Sequence, residues 1–378
     1  MGGKALKEPI WVAGCMSGTS LDGVDVALLK TDGVAIVGFG ESAFRPYSEA
    51  EQAMFRAELG SWQASEPLTE LIETAHSQAL SQLEPPQDAP ERGIALIGFH
   101  GQTLNHAPDE GRTYQAGDGA VLAAVMGLPV IWDFRSSDVE MGGQGAPLAP
   151  FYHHALARYV GAEAPVVFLN LGGVGNLTWV NPKVADPAAP GACLAFDTGP
   201  ANAPVNDLMR ARLGQSYDKD GALAAQGRPD MEIVARGLEH AYFYKMPPKS
   251  LDRNDFHGVL EAVAPLSDAD AAATLTAFAA ACVARAMDHC PSPPAALYVT
   301  GGGRHNPVLM AMIAAGVDCE VLPVEEIGLD GDMLEAQAFA YLAARVRAGL
   351  PTSAPSTTGV RAAIGGGRLS RPEVSSKA

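Results

Sequence analysis

The chain has 378 residues, 47% hydrophobic and 18% charged, with 43 acidic against 26 basic side chains and a net charge of −17. At about 150 residues per domain this is room for two domains, and the composition excludes a disordered chain. A pI near 4.9 with no basic stripe argues against nucleic acid as a partner.

The longest uncharged helical run, 271–284, is short of the roughly 20 residues that span a bilayer. The apolar run Ile10–Met16 enters a turn without an export cleavage pattern. Five cysteines without C-x-x-C spacing read as reduced thiols rather than a disulfide frame or a zinc site. The expected setting is the cytoplasm, with no membrane partner.

In chain order, Ile10–Cys15, Val24–Lys30 and Ala35–Phe39 read as a meander of three short strands, the last two joined at Asp32-Gly33. Ser48 and Glu51 form a capping box ahead of Met54, Phe55 and Leu59 at helical spacing. Leu68, Leu71, Ile72 and Ala75 mark one face of a second helix. Strands follow at Ala95–Phe99 and Val130–Phe134, with a helix through Val121–Met126 between them. After Gly142-Gly143-Gln144-Gly145 and a helix at Tyr152–Tyr159 the pattern restarts. It runs through strands Val166–Leu171, Leu177–Val180 and Leu194–Phe196, long helical stretches, strand Ala296–Val299 and a last strand–helix pair. This repeats architecture without repeating residues. It predicts two similar α/β domains facing a cleft, 1–140 and 141–378, the C-terminal segment being able to pack back on the first.

Four loops share a small, glycine-rich character. They are Ser17-Gly18-Thr19-Ser20-Leu21-Asp22-Gly23, Gly172-Gly173-Val174-Gly175-Asn176, Asp197-Thr198-Gly199-Pro200 and Gly301-Gly302-Gly303. Small residues let backbone N–H groups approach an anion, so four such loops point to a polyphosphate ligand. Fixed dipoles of this kind work locally, whatever the net charge. The P-loop signature and the protein-kinase set are absent, and Gly173-Val174-Gly175 lacks the third glycine of a dinucleotide fold.

A second, polar group lies at His100-Gly101-Gln102-Thr103, at Asp133-Phe134-Arg135-Ser136-Ser137-Asp138 and around Gln144. Its donors and acceptors suit the hydroxyls of a sugar, in loops after strand ends. Asp197 ends a strand beside a phosphate loop, where it can be a general base, cap a helix or hold a metal-bound water. Glu325, Glu326 and Glu335 are further acids. A two-carboxylate glycosidase would leave the phosphate loops without a purpose.

Met16 to Asp25, read as MSGTSLDGVD, resembles the opening motif of the anhydro-N-acetylmuramic acid kinases. Further matches keep their order through His100–Thr103, Asp133-Phe134-Arg135, Gly142–Leu148, Asn170–Asn176, Asp197–Pro200, Pro248-Lys249-Ser250, Gly301–Gly303, Leu350-Pro351 and Thr358-Gly359. The resemblance implies two ribonuclease-H-like domains of the actin, Hsp70 and sugar-kinase type around a central cleft. It implies ATP with Mg2+, a small sugar as substrate and a homodimer as the family's assembly. It also implies hydrolytic opening of 1,6-anhydro-N-acetylmuramic acid with phosphorylation at O6, in cell-wall recycling. Asp197 stands at the family's base. Gly18, Thr19, Ser20, Leu21, Asp22, Gly23, Val24 and Asp25 stand at its ATP loop, with Gly172, Gly173, Gly301, Gly302 and Gly303 as further nucleotide contacts. His100, Gln102, Asp133, Arg135, Gln144 and Glu335 are the expected sugar contacts, and no residue is assigned to the metal.

Departures from the family pattern are Ala201 in place of a glycine, Leu251-Asp252-Arg253-Asn254 after Ser250, Ser136-Ser137 in place of a more basic pair, and Ala13-Gly14-Cys15-Met16 where many sugar kinases carry an acid. An alanine at 201 would be strained if that backbone had positive φ. The rival readings are a kinase of another small sugar and a non-catalytic nucleotide or sugar sensor on the same fold.

Overall fold

A computed structural model describes residues 3–86, 88, 93–251 and 255–372. The chain forms two compact units, one of residues up to Tyr159 together with those from Met333 onward, the other of Val160–Asp332.

The first unit is built on β1 (Ile10–Ser17), β2 (Gly23–Thr31), β3 (Ile36–Pro46), α1 (Glu49–Glu58), α2 (Glu66–Leu80), β4 (Leu96–Ala107), β5 (Arg112–Ala116), α3 (Gly119–Met126), β6 (Val130–Trp132), α4 (Ser136–Glu140) and α5 (Pro150–Tyr159). Its sheet runs β3-β2-β1-β4-β6, with β2 antiparallel to both neighbours and β1, β4 and β6 parallel. The second unit contains β7 (Val166–Leu171), β8 (Val174–Val180), β9 (Cys193–Pro200), α6 (Asn202–Leu213), α7 (Met231–Gly237), α8 (His257–Ala262), α9 (Asp268–Met287), β10 (Ala296–Thr300), α10 (Pro307–Gly316) and β11 (Glu320–Pro323). Its sheet runs β9-β8-β7-β10-β11 with the same directions. In each sheet these five strands therefore read 3-2-1-4-5 with only the second antiparallel, which is the ribonuclease-H-like arrangement, and in the first β5 also pairs antiparallel with β4. The chain then returns to the first unit as α11 (Leu334–Arg347), α12 (Pro355–Thr358) and β12 (Arg368–Ser370), the last pairing antiparallel with β6.

The expected boundary at 140/141 lies inside the first unit, because α5 packs on α11 and β3. Helix α11 lies flat on the centre of the first sheet. Gly14 and Gly98 face each other in register, and a Cβ there would sit 1.8 Å from the Ala336 carbonyl oxygen and 2.2 Å from that of Phe339. This close approach accounts for the small residues at Ala13-Gly14.

Local signals are met where they are strong. Ser48 and Glu51 close a reciprocal capping box on α1, and α2 buries Leu68, Ile72 and Ala75. The run expected at 271–284 extends at both ends into α9, 20 residues capped by Ser267. Its length and apolarity match a bilayer span, yet 67% of its apolar window is buried, as in a core helix.

Two differences bear on function. The strand expected at Ala95–Phe99 continues to Ala107, so His100–Thr103 lies within β4 and not in a loop after it. Cys15 pairs with Phe99 and Ser17 with Gln102, one extra residue on β4; Gly101 absorbs it at φ +73°, where a Cβ would meet the Ala116 carbonyl oxygen at 2.5 Å. Likewise Asp197–Pro200 is the end of β9 and not a loop.

Candidate active site

In the first unit the β1–β2 turn closes by a Leu21 N–H to Gly18 carbonyl bond of 3.2 Å, while the Asp22 carboxylate accepts from Ser20 Oγ at 2.7 Å and from the Gly23 N–H at 3.0 Å. Leu21 and Val24 point into the core, and Gly23 lies against the Phe44 ring and the Arg45 carbonyl, so these hold the turn. Thr19 and Ser20 are exposed, and Asp25 is half-buried on β2. A Cβ on Gly18 would meet nothing nearer than 3.5 Å, so this stretch of backbone is open to an approaching oxyanion.

Beside β4, His100 is buried with its ring fixed from both sides. Nδ1–H donates to the Gly101 carbonyl at 2.8 Å, and Nε2 accepts from Arg135 Nε at 3.0 Å. Burial, then the Arg135 charge, holds the imidazole well below its usual pKa, so it is neutral. Arg135 also donates to the Gly145 carbonyl at 2.7 Å, and burial lowers its guanidinium to about 10 against the pull of Glu335 and Asp138. Glu335, in the first turn of α11, keeps an exposed face. Loss of hydration raises its carboxyl; Arg135 lowers it, and the Asp22 charge raises it further. Gln144 donates its backbone N–H to the Thr358 carbonyl at 2.7 Å, and its own carbonyl lies 2.9 Å from His106 Nε2. Thus His100, Arg135, Glu335 and the Gln144–Gly145 backbone are brought together.

Asp133 and Gln102 are engaged elsewhere. Asp133, at φ +56°, binds the Ser136 hydroxyl and pairs with Arg368 of β12 at 2.8 Å. The Gln102 amide is turned on the β1–β2 hairpin, 3.2 Å from the Gly18 carbonyl. A residue not singled out as a contact, Asp138, is a buried hub. Its carboxylate accepts from the Gly145 N–H, Ser353 Oγ and Thr358 Oγ1 at 2.7, 2.5 and 2.6 Å, tying the glycine-rich loop to the chain's C-terminal return.

In the second unit Asp197 is held at both carboxylate oxygens, by Asn176 Nδ2 and the Leu251 N–H, each at 2.8 Å. Its backbone is held as well, by the Lys249 carbonyl at 3.0 Å and the Tyr242 hydroxyl at 2.6 Å. Burial raises its pKa above the ordinary carboxylate value, and the two carboxylate bonds oppose that rise. Because the Leu251 contact is a backbone N–H, any residue but proline would supply it, so a leucine here keeps that bond. Asp252, Arg253 and Asn254 lie outside the described residues. Lys249 anchors this segment, its ammonium 4.7 Å from the Tyr242 ring centre and 3.3 Å from His289 Nε2, and burial lowers it to about 8.

The Gly172-Gly173 turn is held by the start of α6. Asn202 Nδ2 donates to the Leu171 and Gly172 carbonyls at 2.8 and 2.9 Å, and the Ala201 and Ala203 N–H groups donate to Gly173. Ala201 has φ −118°, so its side chain carries no left-handed strain. Gly301, at φ +75°, lies against Asn170 and Leu171, and Arg304 secures it by donating to its carbonyl at 3.0 Å while pairing with Glu325 and Asp332 at 2.8 and 2.7 Å. Gly302 borders a cavity of about 480 Å³ lined by Asn202, Tyr217, Thr276, His305 and Asn306 among others, a volume suited to a nucleoside. Within the second unit the glycine turns and this cavity suit a nucleotide, and within the first the open backbone at Gly18 suits an oxyanion. The described residues contain no cluster of three or more His, Cys, Asp or Glu side chains able to hold a metal.

Sequence reasoning passed over Asn176, Arg304, Tyr47 and Asp138 as site residues. Asn176 lay inside a quoted motif and Arg304 directly follows the glycines, so both had a signal. Asp138 closed the quoted polar stretch, whereas Tyr47, whose hydroxyl lies 2.9 Å from Ser17 Oγ, acts through residues remote in sequence and had no signal.

Two sheets of one order in a single chain, each with a small-residue turn between its first two strands, define a protein of the actin-like fold class. The sequence matches the family described as "Anhydro-N-acetylmuramic acid kinase" over residues 10–370. Proteins of that name from Cereibacter sphaeroides and Ruegeria sp. (strain TM1040) are 63% and 57% identical to it, over 96% and 98% of this chain and 97% and 98% of theirs. A third, from Roseobacter denitrificans, is 58% identical over 96% of this chain and 95% of its own. The chain belongs to the anhydro-N-acetylmuramic acid kinase family.

Proposed function

We propose that the protein is a cytoplasmic ATP-dependent kinase of cell-wall recycling, converting 1,6-anhydro-N-acetylmuramic acid, water and ATP to N-acetylmuramic acid 6-phosphate and ADP. Family membership over nearly the whole chain carries the choice of substrate. The fixed Asp197 carboxylate carries the chemistry.

The anhydro-sugar has no free O6, because that oxygen is bonded to the anomeric carbon. The C1–O6 bond breaks, water supplies the new anomeric oxygen, and the freed O6 takes the γ-phosphoryl group. Asp197 accepts the water's proton, and burial, by raising its pKa, makes its carboxylate a stronger base. Asn176 and the Leu251 N–H orient the carboxylate and keep it from losing its charge. Backbone N–H groups of Gly18–Asp25, with the turns at Gly172-Gly173 and Gly301–Gly303, serve the phosphates, and the cavity beside Gly302 takes the nucleoside. No described cluster of side chains is assigned to Mg2+, which would be held through the nucleotide's phosphates and would supply neutralisation of charge on the transferred phosphoryl group. His100, Arg135, Gln144 and Glu335 serve the sugar, with Arg135 as a cation suited to its carboxylate.

Turnover in ¹⁸O-labelled water tests the reading, with product analysed before the free anomeric centre exchanges. One label belongs at the anomeric hydroxyl and none in the phosphate. Label in the phosphate would mean an ATPase. Equal ADP release from ordinary N-acetylmuramic acid would favour an ordinary sugar kinase.

A further inference from the structure

The amide of Gln102 is fully buried, although its residue type and position invite a sugar contact. Its Nε2 donates to the Gly18 carbonyl at 3.2 Å and to the Thr103 carbonyl at 3.4 Å, and its Oε1 accepts from Ser17 Oγ at 2.5 Å. An amide has two N–H donors, and both are committed to backbone. The Ser17 hydroxyl proton goes to Gln102, so the Tyr47 hydroxyl, 2.9 Å away, donates to Ser17. Burial raises the Tyr47 hydroxyl to about 12, which keeps that donor protonated at any working pH. The Tyr47 backbone N–H also donates to the Asp22 carbonyl at 2.8 Å. The phosphate turn is thus gripped at its start through Ser17 and Gly18, and at its end through Asp22.

We infer that Gln102 and Tyr47 are positioning residues for the nucleotide, presenting the Gly18–Asp22 turn to the phosphates, and that Gln102 does not contact the sugar. The inference rests on the reading of that turn as the phosphate site. The β4 bulge at Gly101 serves it, since the extra residue places Gln102 opposite Ser17.

Nucleotide binding to Tyr47→Phe and Gln102→Met is measured by titration with a non-hydrolysable ATP analogue, alongside the KM values for ATP and sugar; Gly18→Val is the control. A lost neutral hydrogen bond is worth roughly fivefold, so each variant weakens the analogue and raises the ATP KM by about that factor or more. The sugar KM stays within about twofold. The double variant costs less than the product of the singles, because both act through Ser17. A merely structural role would lower thermal stability without this split between the two KM values. Tyr47→Phe keeps the ring 4.7 Å from Phe55 and carries the test if Gln102→Met does not fold. A raised sugar KM with unchanged nucleotide affinity would overturn the inference and return Gln102 to the sugar. If Gly18→Val weakens the analogue and the other two do not, the positioning role fails while the turn remains the phosphate site. If Gly18→Val has no effect, the reading of the turn fails first.

Discussion

The third strands of the two sheets invite comparison, because each closes on a proline paired with the first residue of the strand beside it. In the first unit Gly23 pairs with Pro46, Val24 with Arg45 and Asp25 with Phe44. In the second Val174 pairs with Pro200, Gly175 with Gly199 and Asn176 with Asp197, Thr198 being an extra bulged residue. One scaffold position thus holds the exposed Phe44 in one unit and Asp197, the proposed base, in the other. The turns differ in the opposite sense. The first unit has a long turn with open backbone at its tip, held by neutral buried groups; the second has Gly172-Gly173, held by Asn202 and the start of α6. The lesson is that topology sets where a functional group can stand, while a single inserted residue and its hydrogen-bond partners decide what stands there.

Moving the base is the most direct way to break the comparison. Asp197→Asn keeps the side chain's shape without a proton acceptor and lowers turnover by roughly 10²–10⁴, with ATP affinity unchanged. Adding Phe44→Asp to that variant restores nothing, because the first unit has no bulge and no Asn176 amide at that pair. Steady-state ADP release checks both, and recovery in the double variant would make the two positions interchangeable.

Next in size is Asn176→Ala. Its amide favours the charged carboxylate, so its loss raises the Asp197 pKa further. A general base works only when deprotonated. The acid limb of the kcat profile therefore moves to higher pH, and kcat falls by about tenfold or more at neutral pH. An unmoved limb would detach Asn176 from the base.

Arg304→Lys tests the turn that the second unit holds with charge. The lysine keeps the charge but loses the fork that reaches Gly301, Glu325 and Asp332 together. The ATP KM rises about five- to tenfold with kcat little changed, a response on the same parameter as Tyr47→Phe in the first unit. A change confined to the sugar KM would separate the two turns in function.

The smallest effect belongs to Ala201→Gly, which restores the family's residue. With φ at −118° Ala201 is outside the left-handed region that favours glycine, so activity stays within about twofold and stability within about 1 kcal/mol. A large gain in activity would show that the alanine limits the enzyme.

Much of this protein was legible before any coordinates. The meander, the Ser48–Glu51 box, the α2 face and the restart of the pattern at Val166 all follow from neighbours in sequence, where apolar spacing, turn residues and caps act over a few positions. The family motifs marked Asp197 and the glycine turns for the same reason, since each is a contiguous string. Bulges were not legible: Gly101 looks like the end of a strand until β5 pairs with the second half of β4, and Thr198 like part of a loop until β8 shows it to be the extra residue. Only the tertiary structure turned Gln102 onto Ser17 and Gly18, brought Tyr47 to Ser17, and joined Asp138 to Ser353 and Thr358. The sequence determined which residue types were available and how each short segment would fold. Hydrogen bonds between segments depend on pairing register and burial, and those are properties of the assembled sheet, settled only when distant stretches of chain meet.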